Sequence, residues 1–126
     1  VLSKAWLYLG WLWIAIIFYL SLMPHPPEPI SFSGVDKLEH ALAYILLMLW
    51  FAQIYLGLGV RIFLIIAFVA MGVLIEFLQR MTGYRYFEYA DMLADASGVI
   101  IGFGLAYTRM GCVLTLLENK WKTLNV

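Results

Sequence analysis

Apolar positions run along this chain in four blocks too continuous to be the single face of a soluble helix, and polar positions gather at the block ends. The first block, Ala5 to Met23, is rich in Trp, Leu and Ile and has Lys4 as a basic flank. Pro24, Pro26, Pro27 and Pro29 follow; they lack a backbone donor and favour extended structure, so residues 24–35 read as a loop. A second block spans about Asp36 to Leu56 and is broken by Gly57-Leu58-Gly59, with Arg61 just beyond. The third runs from Ile62 to about Met81, and the fourth from near Ala90 to near Met110. Between these two, Tyr84, Tyr86, Phe87 and Tyr89 suit a headgroup layer. In the tail, Leu114, Leu117, Trp121 and Leu124 recur at helical spacing while Glu118, Lys120 and Lys122 lie elsewhere, the pattern of an interfacial helix. The prediction is an all-α integral membrane four-helix bundle with a short C-terminal interfacial helix, one domain over residues 1–126.

Composition fixes the solvent. The chain is 64% hydrophobic and 13% charged, against roughly 45–50% apolar and about 25% charged in soluble domains. Net charge is zero and no basic run points to nucleic acid. One cysteine, Cys112, leaves no internal disulfide and no zinc–cysteine site. The first block could be a signal peptide, but it exceeds the usual ~7–15 apolar residues and Ser21-Leu22-Met23-Pro24-His25 is no small-x-small cleavage site. A retained transmembrane helix is expected.

Four crossings put both termini on one side. Lys4, Arg61, Arg109, Lys120 and Lys122 fall there, and Lys37, Arg80 and Arg85 on the other, which predicts cytoplasmic termini. The acids are more lopsided: Glu28, Asp36, Glu39, Glu76, Glu88, Asp91 and Asp95 all fall on the outer side, and Glu118 alone does not. At ~1.5 Å per residue, His40 lies about 6 Å inward of Asp36 and Asp95 about 6 Å inward of Asp91, with Glu76 at a similar depth. An ionisable group at a helix centre costs ~2.5–3.5 kcal/mol, less near an interface, so these groups should face one another rather than lipid. The expectation is a polar pocket open to the outside. Gly98-x-x-x-Gly102, in line with Asp91 and Asp95, is a small-residue packing face that brings helices close.

The densest chemistry lies in Asp36-Lys37-Leu38-Glu39-His40-Ala41-Leu42-Ala43-Tyr44. Asp36, His40 and Tyr44 fall within about 80° of one another on a helix. Ser33 or Asp36 can cap that helix, and Asp36 with Glu39 fits a capping box. This stretch, together with Glu76 and Gln79, Arg85, Asp91 and Asp95, and Gly98 and Gly102, resembles the VanZ-like family of small membrane proteins over residues 36 to 104. The family's recurring positions correspond here to Asp36, Lys37, His40, Tyr44, Glu76, Gln79, Arg85, Asp91, Gly98 and Gly102; position 95, where Asn is expected, is Asp. The resemblance implies a multi-pass protein of the bacterial inner membrane and a link to resistance against the glycopeptide teicoplanin, without an assigned reaction.

Several chemistries fit these residues. As a brace, Arg80 or Arg85 pairs with Glu76, Asp91 or Asp95 while His40 donates to a carboxylate. As an envelope-facing site, His40 is a general acid or base oriented by Glu76 or Asp95, and these three are the candidate catalytic residues. Asp36, Lys37, Tyr44, Gln79, Arg80, Arg85 and Asp91 are then the candidate ligand-binding residues, and a lipid-linked cell-wall precursor suits the outward helix N-termini and the basic side chains. Asp36, His40, Glu76, Asp91 and Asp95 also form a mixed nitrogen–oxygen set able to hold a divalent cation. A proton-coupled transporter would use the same carboxylates and histidine. It would require an oligomer, and the inner halves of the spans offer only Gln53 and Arg61.

Overall fold

The computed structural model describes residues 2–23, 35–83 and 89–124. Their elements are α1 (Leu2–Leu22), α2 (Val35–Ala52), α3 (Leu58–Thr82), α4 (Tyr89–Leu105), a 3₁₀ turn at Arg109–Cys112, and α5 (Val113–Leu124). The expected loops around Pro24–Pro29 and Tyr84–Glu88, with the cap at Ser33, lie outside the described residues. So does the side chain of Asp36, whose backbone stands in the first turn of α2. Two of the helices, α1 and α3, are long and apolar enough to cross a membrane, and a third span results if α4 and the segment Arg109–Leu124 are taken together. α2 carries Asp36, Lys37 and Glu39 within its 18 residues and does not reach the same hydropathy.

The helix ends have local causes. α3 stops at Gly83, whose φ of 79° is a left-handed C-cap that a side chain would strain. α2 ends at Ala52 rather than the expected Leu56, because Gln53 turns its side chain away to the carbonyls of Leu49 and Met110. α3 begins earlier than expected, at Leu58. Arg61, in its first turn, donates from Nη2 to Ala52 O at 2.8 Å and from Nε to Tyr55 O at 3.0 Å, supplying a cation to the last carbonyls of α2. α4 also departs from expectation: it ends at Leu105, not near Met110, and the chain bends by 77° into the segment that follows. Gly111 makes that corner possible, since a Cβ there would overlap the Ala106 carbonyl.

α2 and α4 run parallel as the central pair. Gly98 packs on Ala41 and Tyr44, and Gly102, one turn on, packs on Ile45 and Met48. α1 lies against α2 through a reciprocal clasp. The Trp6 and Trp50 rings stack 3.7 Å apart, Trp6 Nε1 donates to Trp50 O at 2.9 Å, and Trp50 Nε1 donates to Trp6 O at 2.8 Å. Tyr44, Leu47, Met48, Phe51, Phe68, Ile75 and Val99 fill the middle.

These contacts sort the molecule into two ends. One gathers the first turn of α1, the α2–α3 turn, the end of α4 and α5, so the N- and C-terminal helices meet there. The other gathers the starts of α2 and α4 and the end of α3. Burial is inverted relative to a soluble protein. Glu76, Gln79, Asp95, Arg61, Gln53 and Asp91 are buried, while Phe63, Ile66 and Ile100 are 67%, 63% and 53% exposed. Large apolar side chains stand exposed along α1, α3 and α4, and lipid is the solvent they match.

Arg61 is expected to be irreplaceable by lysine. It is 4% exposed and its guanidinium carbon lies 4.9 Å from the Tyr107 ring centroid, so both its forked donors and its flat face are used. Arg61→Lys should lower unfolding stability in detergent by about 1–2 kcal/mol, since one ammonium cannot serve both carbonyls in that geometry. An unchanged thermal midpoint would show that those bonds carry no weight.

Candidate functional site

The parallel run of α2 and α4 brings their first turns side by side, and both turns are polar. On α2, Lys37 and His40 are three residues apart; on α4, Asp91 and Asp95 are four apart. Each spacing puts its pair on one helix face. Across the gap Lys37 Nζ meets Asp91 Oδ1 at 2.7 Å, and His40 Nδ1 meets Asp95 Oδ1 at 2.9 Å. His40 Nε2 lies 4.0 Å from Asp91 Oδ2, within ion-pair range when the ring is charged but beyond a hydrogen bond. Side-chain exposure falls along this ladder, from 30% at Lys37 and 20% at His40 to 3% at Asp95. The site therefore has a wet rim and a dry floor.

α3 closes the floor. Gly72 faces Asp95, and a Cβ there would sit 2.8 Å from Asp95 Oδ2. One turn further, Glu76 is fully buried and within electrostatic range of both His40 and Tyr44. Tyr44, one turn below His40 on α2, is 2% exposed, and its hydroxyl has no hydrogen-bond partner among the described residues. Its neighbours there include Asp95 and Glu76.

His40, Asp95 and Glu76, the candidate catalytic residues, thus come together from three helices, with Lys37, Asp91 and Tyr44 of the ligand-binding candidates around them. Gln79 is buried but serves a different contact. Its Nε2 donates to Ser21 O at 2.8 Å and ties the end of α3 to the end of α1. Arg80 lies on the exposed side of the last turn of α3. Arg85 and the side chain of Asp36 are outside the described residues. Among the described residues no group of three or more His, Cys, Asp or Glu side chains is arranged to hold a metal ion. The reason is local: one oxygen of Asp91 is taken by Lys37 and one of Asp95 by His40. Gln53 and Arg61, the polar residues nearest a transport route, are bound to backbone carbonyls at the opposite end, and Leu47, Met48, Phe68 and Val99 lie between.

Gly72 is a wall of this site that the residue pattern signals only indirectly, as the position one turn before Glu76 on the same face. Chemically, the arrangement positions an imidazole. When Nδ1–H donates to Asp95, Nε2 carries the lone pair 4.0 Å from Asp91 Oδ2, and in that tautomer a histidine can take or give a proton. In comparisons with known proteins, the chain matches no family model, no curated protein and no solved structure.

Proposed function

We propose that this chain is a VanZ-like protein of the bacterial inner membrane, crossing it four times with both termini in the cytoplasm. Its Lys37–Asp91–His40–Asp95 site would then face the periplasm and bind or act on a lipid-linked component of the cell envelope. The observation that carries this reading is the imidazole of His40, held at Nδ1 by buried Asp95 while the ring stays partly exposed and its Nε2 lies 4.0 Å from Asp91. Four crossings agree with helix length. α2 and α4 have 18 and 17 residues, which at ~1.5 Å each come within a few ångströms of the ~30 Å hydrocarbon layer. Orientation follows from charge, since Lys4, Arg61, Arg109, Lys120 and Lys122 share the end where the termini meet. The starts of α2 and α4 at the outer end add partial positive charge beside Lys37, which favours an anionic headgroup or pyrophosphate.

A second reading is a brace. The Lys37–Asp91 and His40–Asp95 contacts both join the same two helices, as a purely structural clamp would. His40→Asn separates the two. The Asn amide can occupy the place of Nδ1–H and keep the bond to Asp95, while Nε2 is lost. Expression of the protein in a teicoplanin-sensitive Gram-positive host is expected to raise the tolerated drug concentration. His40→Asn should return it to the vector-control value with stability reduced by no more than about 1 kcal/mol. Resistance retained by His40→Asn at full expression would leave the brace as the explanation of the cluster. No shift from the unaltered protein would reject the glycopeptide link itself.

A further inference from the structure

α5 is mounted as though to present one side to something outside the protein. Leu114 is buried against the bundle, Gln53 Oε1 accepts from Leu114 N at 3.2 Å, and Gln53 Nε2 donates to Met110 O at 2.6 Å. Ser3 Oγ in the first turn of α1 donates to Glu118 Oε1 at 2.7 Å. These contacts fix both the direction of α5, bent away from α4 by 77°, and its rotation about its own axis. Its 12 residues span only about 18 Å, too short to cross a bilayer.

The side that the mount leaves outward is apolar. Val113, Leu117, Trp121 and Leu124 fall within about 80° on the helical wheel, and all are exposed. Lys120 stands at one edge of this stripe, about 20° from Val113, and is exposed; Lys122 lies on the far side of the helix, beside Thr115. A long cationic stem at the edge of an apolar stripe can bury its methylenes and raise its ammonium group to the headgroup level. The same end of the molecule exposes Lys4 and Arg109, whereas Glu118, the acid of α5, is already bonded to Ser3. The surface around α5 is thus cationic, and its complement is an anionic lipid headgroup.

We propose that α5 is a rigidly held interfacial helix that lies in the headgroup layer and binds anionic phospholipid through Lys120. It is a fixed part of the body, set by Gln53 and Ser3, and anionic lipid gathers around it. This reading requires a membrane but does not depend on what the His40 site does.

The test uses the full chain with Cys112→Ser, reconstituted in vesicles of phosphatidylcholine with phosphatidylglycerol and labelled with a nitroxide at Leu117→Cys or Thr115→Cys. Power saturation should place the Leu117 label at the headgroup–acyl boundary, and the Thr115 label in water. Spin-labelled phosphatidylglycerol should associate about fivefold more strongly than phosphatidylcholine, the gain that one basic residue near the surface supplies. Lys120→Gln, an exposed change that leaves the mount intact, should remove most of that preference, and Lys122→Gln, on the far side of the helix, should keep it. A preference unchanged by Lys120→Gln, or a Leu117 label as open to water as Thr115, overturns the proposal. Ready formation of disulfide-linked dimers by the Leu117→Cys protein would assign the stripe to a second copy of the chain, and overturns it as well.

Discussion

Gly98→Ala should weaken the protein far more than one methyl group ordinarily does. The new Cβ would run into the Ala41 carbonyl oxygen and stand 3.0 Å from Tyr44 Cβ. The first obstacle is backbone, which cannot rotate aside, so α2 and α4 must separate. Overpacking of this kind costs about 1–3 kcal/mol, and the upper end is expected here because helices in lipid hold together by close packing rather than by a hydrophobic drive. Gly102→Ala meets Ile45 O at 2.7 Å and should cost less, about 2 kcal/mol. At Gly104 nothing lies within 4 Å, so Gly104→Ala should be neutral or slightly stabilising through helix propensity. Unfolding of the three variants in detergent gives the ranking directly. Equal stability of Gly98→Ala and Gly104→Ala would mean that the α2–α4 contact is not made at Gly98.

The consequence for the site is as large as that for stability. Lys37 and His40 stand on α2, while Asp91 and Asp95 stand on α4, and the bonds between them are 2.7 and 2.9 Å long. A separation of about 1 Å takes the His40–Asp95 contact beyond hydrogen-bond length and stretches the Lys37–Asp91 ion pair. The small residues in the middle of α4 and the polar residues at its start therefore act as one unit: packing at Gly98 and Gly102 sets the gap across which the ion pairs form.

That unit was half legible in the residue pattern. Asp91, Asp95, Gly98 and Gly102 recur once per turn, so a polar and small-residue face on α4 could be read from spacing alone, as could Asp36, His40 and Tyr44 on the start of α2; that Lys37 meets Asp91 could not. Which helix that face meets, and at what offset, depends on how Gly98 seats on Ala41, and no local periodicity encodes a contact between residues so far apart in the chain. The same limit explains the helix ends. Arg61 reads as a charge after a turn, yet its bonds to Ala52 and Tyr55 close off α2 and start α3. Gln53 reads as a lone polar residue in an apolar block, yet it caps α5 through Leu114. Tertiary hydrogen bonds decide these boundaries, and a helix-forming run of apolar residues does not reveal them. Gln79 is the opposite case: its position beside Glu76 suggests the site, but its amide turns to Ser21 on α1 instead.

Removing His40 should expose how strongly the floor of the site depends on it. Asp95 is 2% exposed and packed on Gly72, so His40→Ala leaves a buried carboxylate without its donor. Loss of one partner from a buried ion pair costs about 3–5 kcal/mol. The 20% exposure of the His40 side chain lets water replace part of the donor, which places this case near 3 kcal/mol. Asp95→Ala should cost less, since the partly exposed imidazole it abandons can still be solvated. The double variant should be no worse than His40→Ala alone, giving a coupling energy of about 2 kcal/mol, within the range for residues in direct contact. Additive losses, or two single losses below about 0.5 kcal/mol, would show that the pair is not formed in the membrane. Asp95→Asn completes the test. Its amide oxygen still accepts from Nδ1–H, so the packing and the bond remain while the charge that would stabilise an imidazolium is gone. If the pair only braces α2 against α4, Asp95→Asn should behave as the unaltered protein in the drug assay. If His40 moves a proton and Asp95 supports its charge, Asp95→Asn should fold normally and lower the tolerated drug concentration, whereas an unchanged value would show that positioning of the ring suffices, as the Asn expected at this place in the VanZ-like family implies.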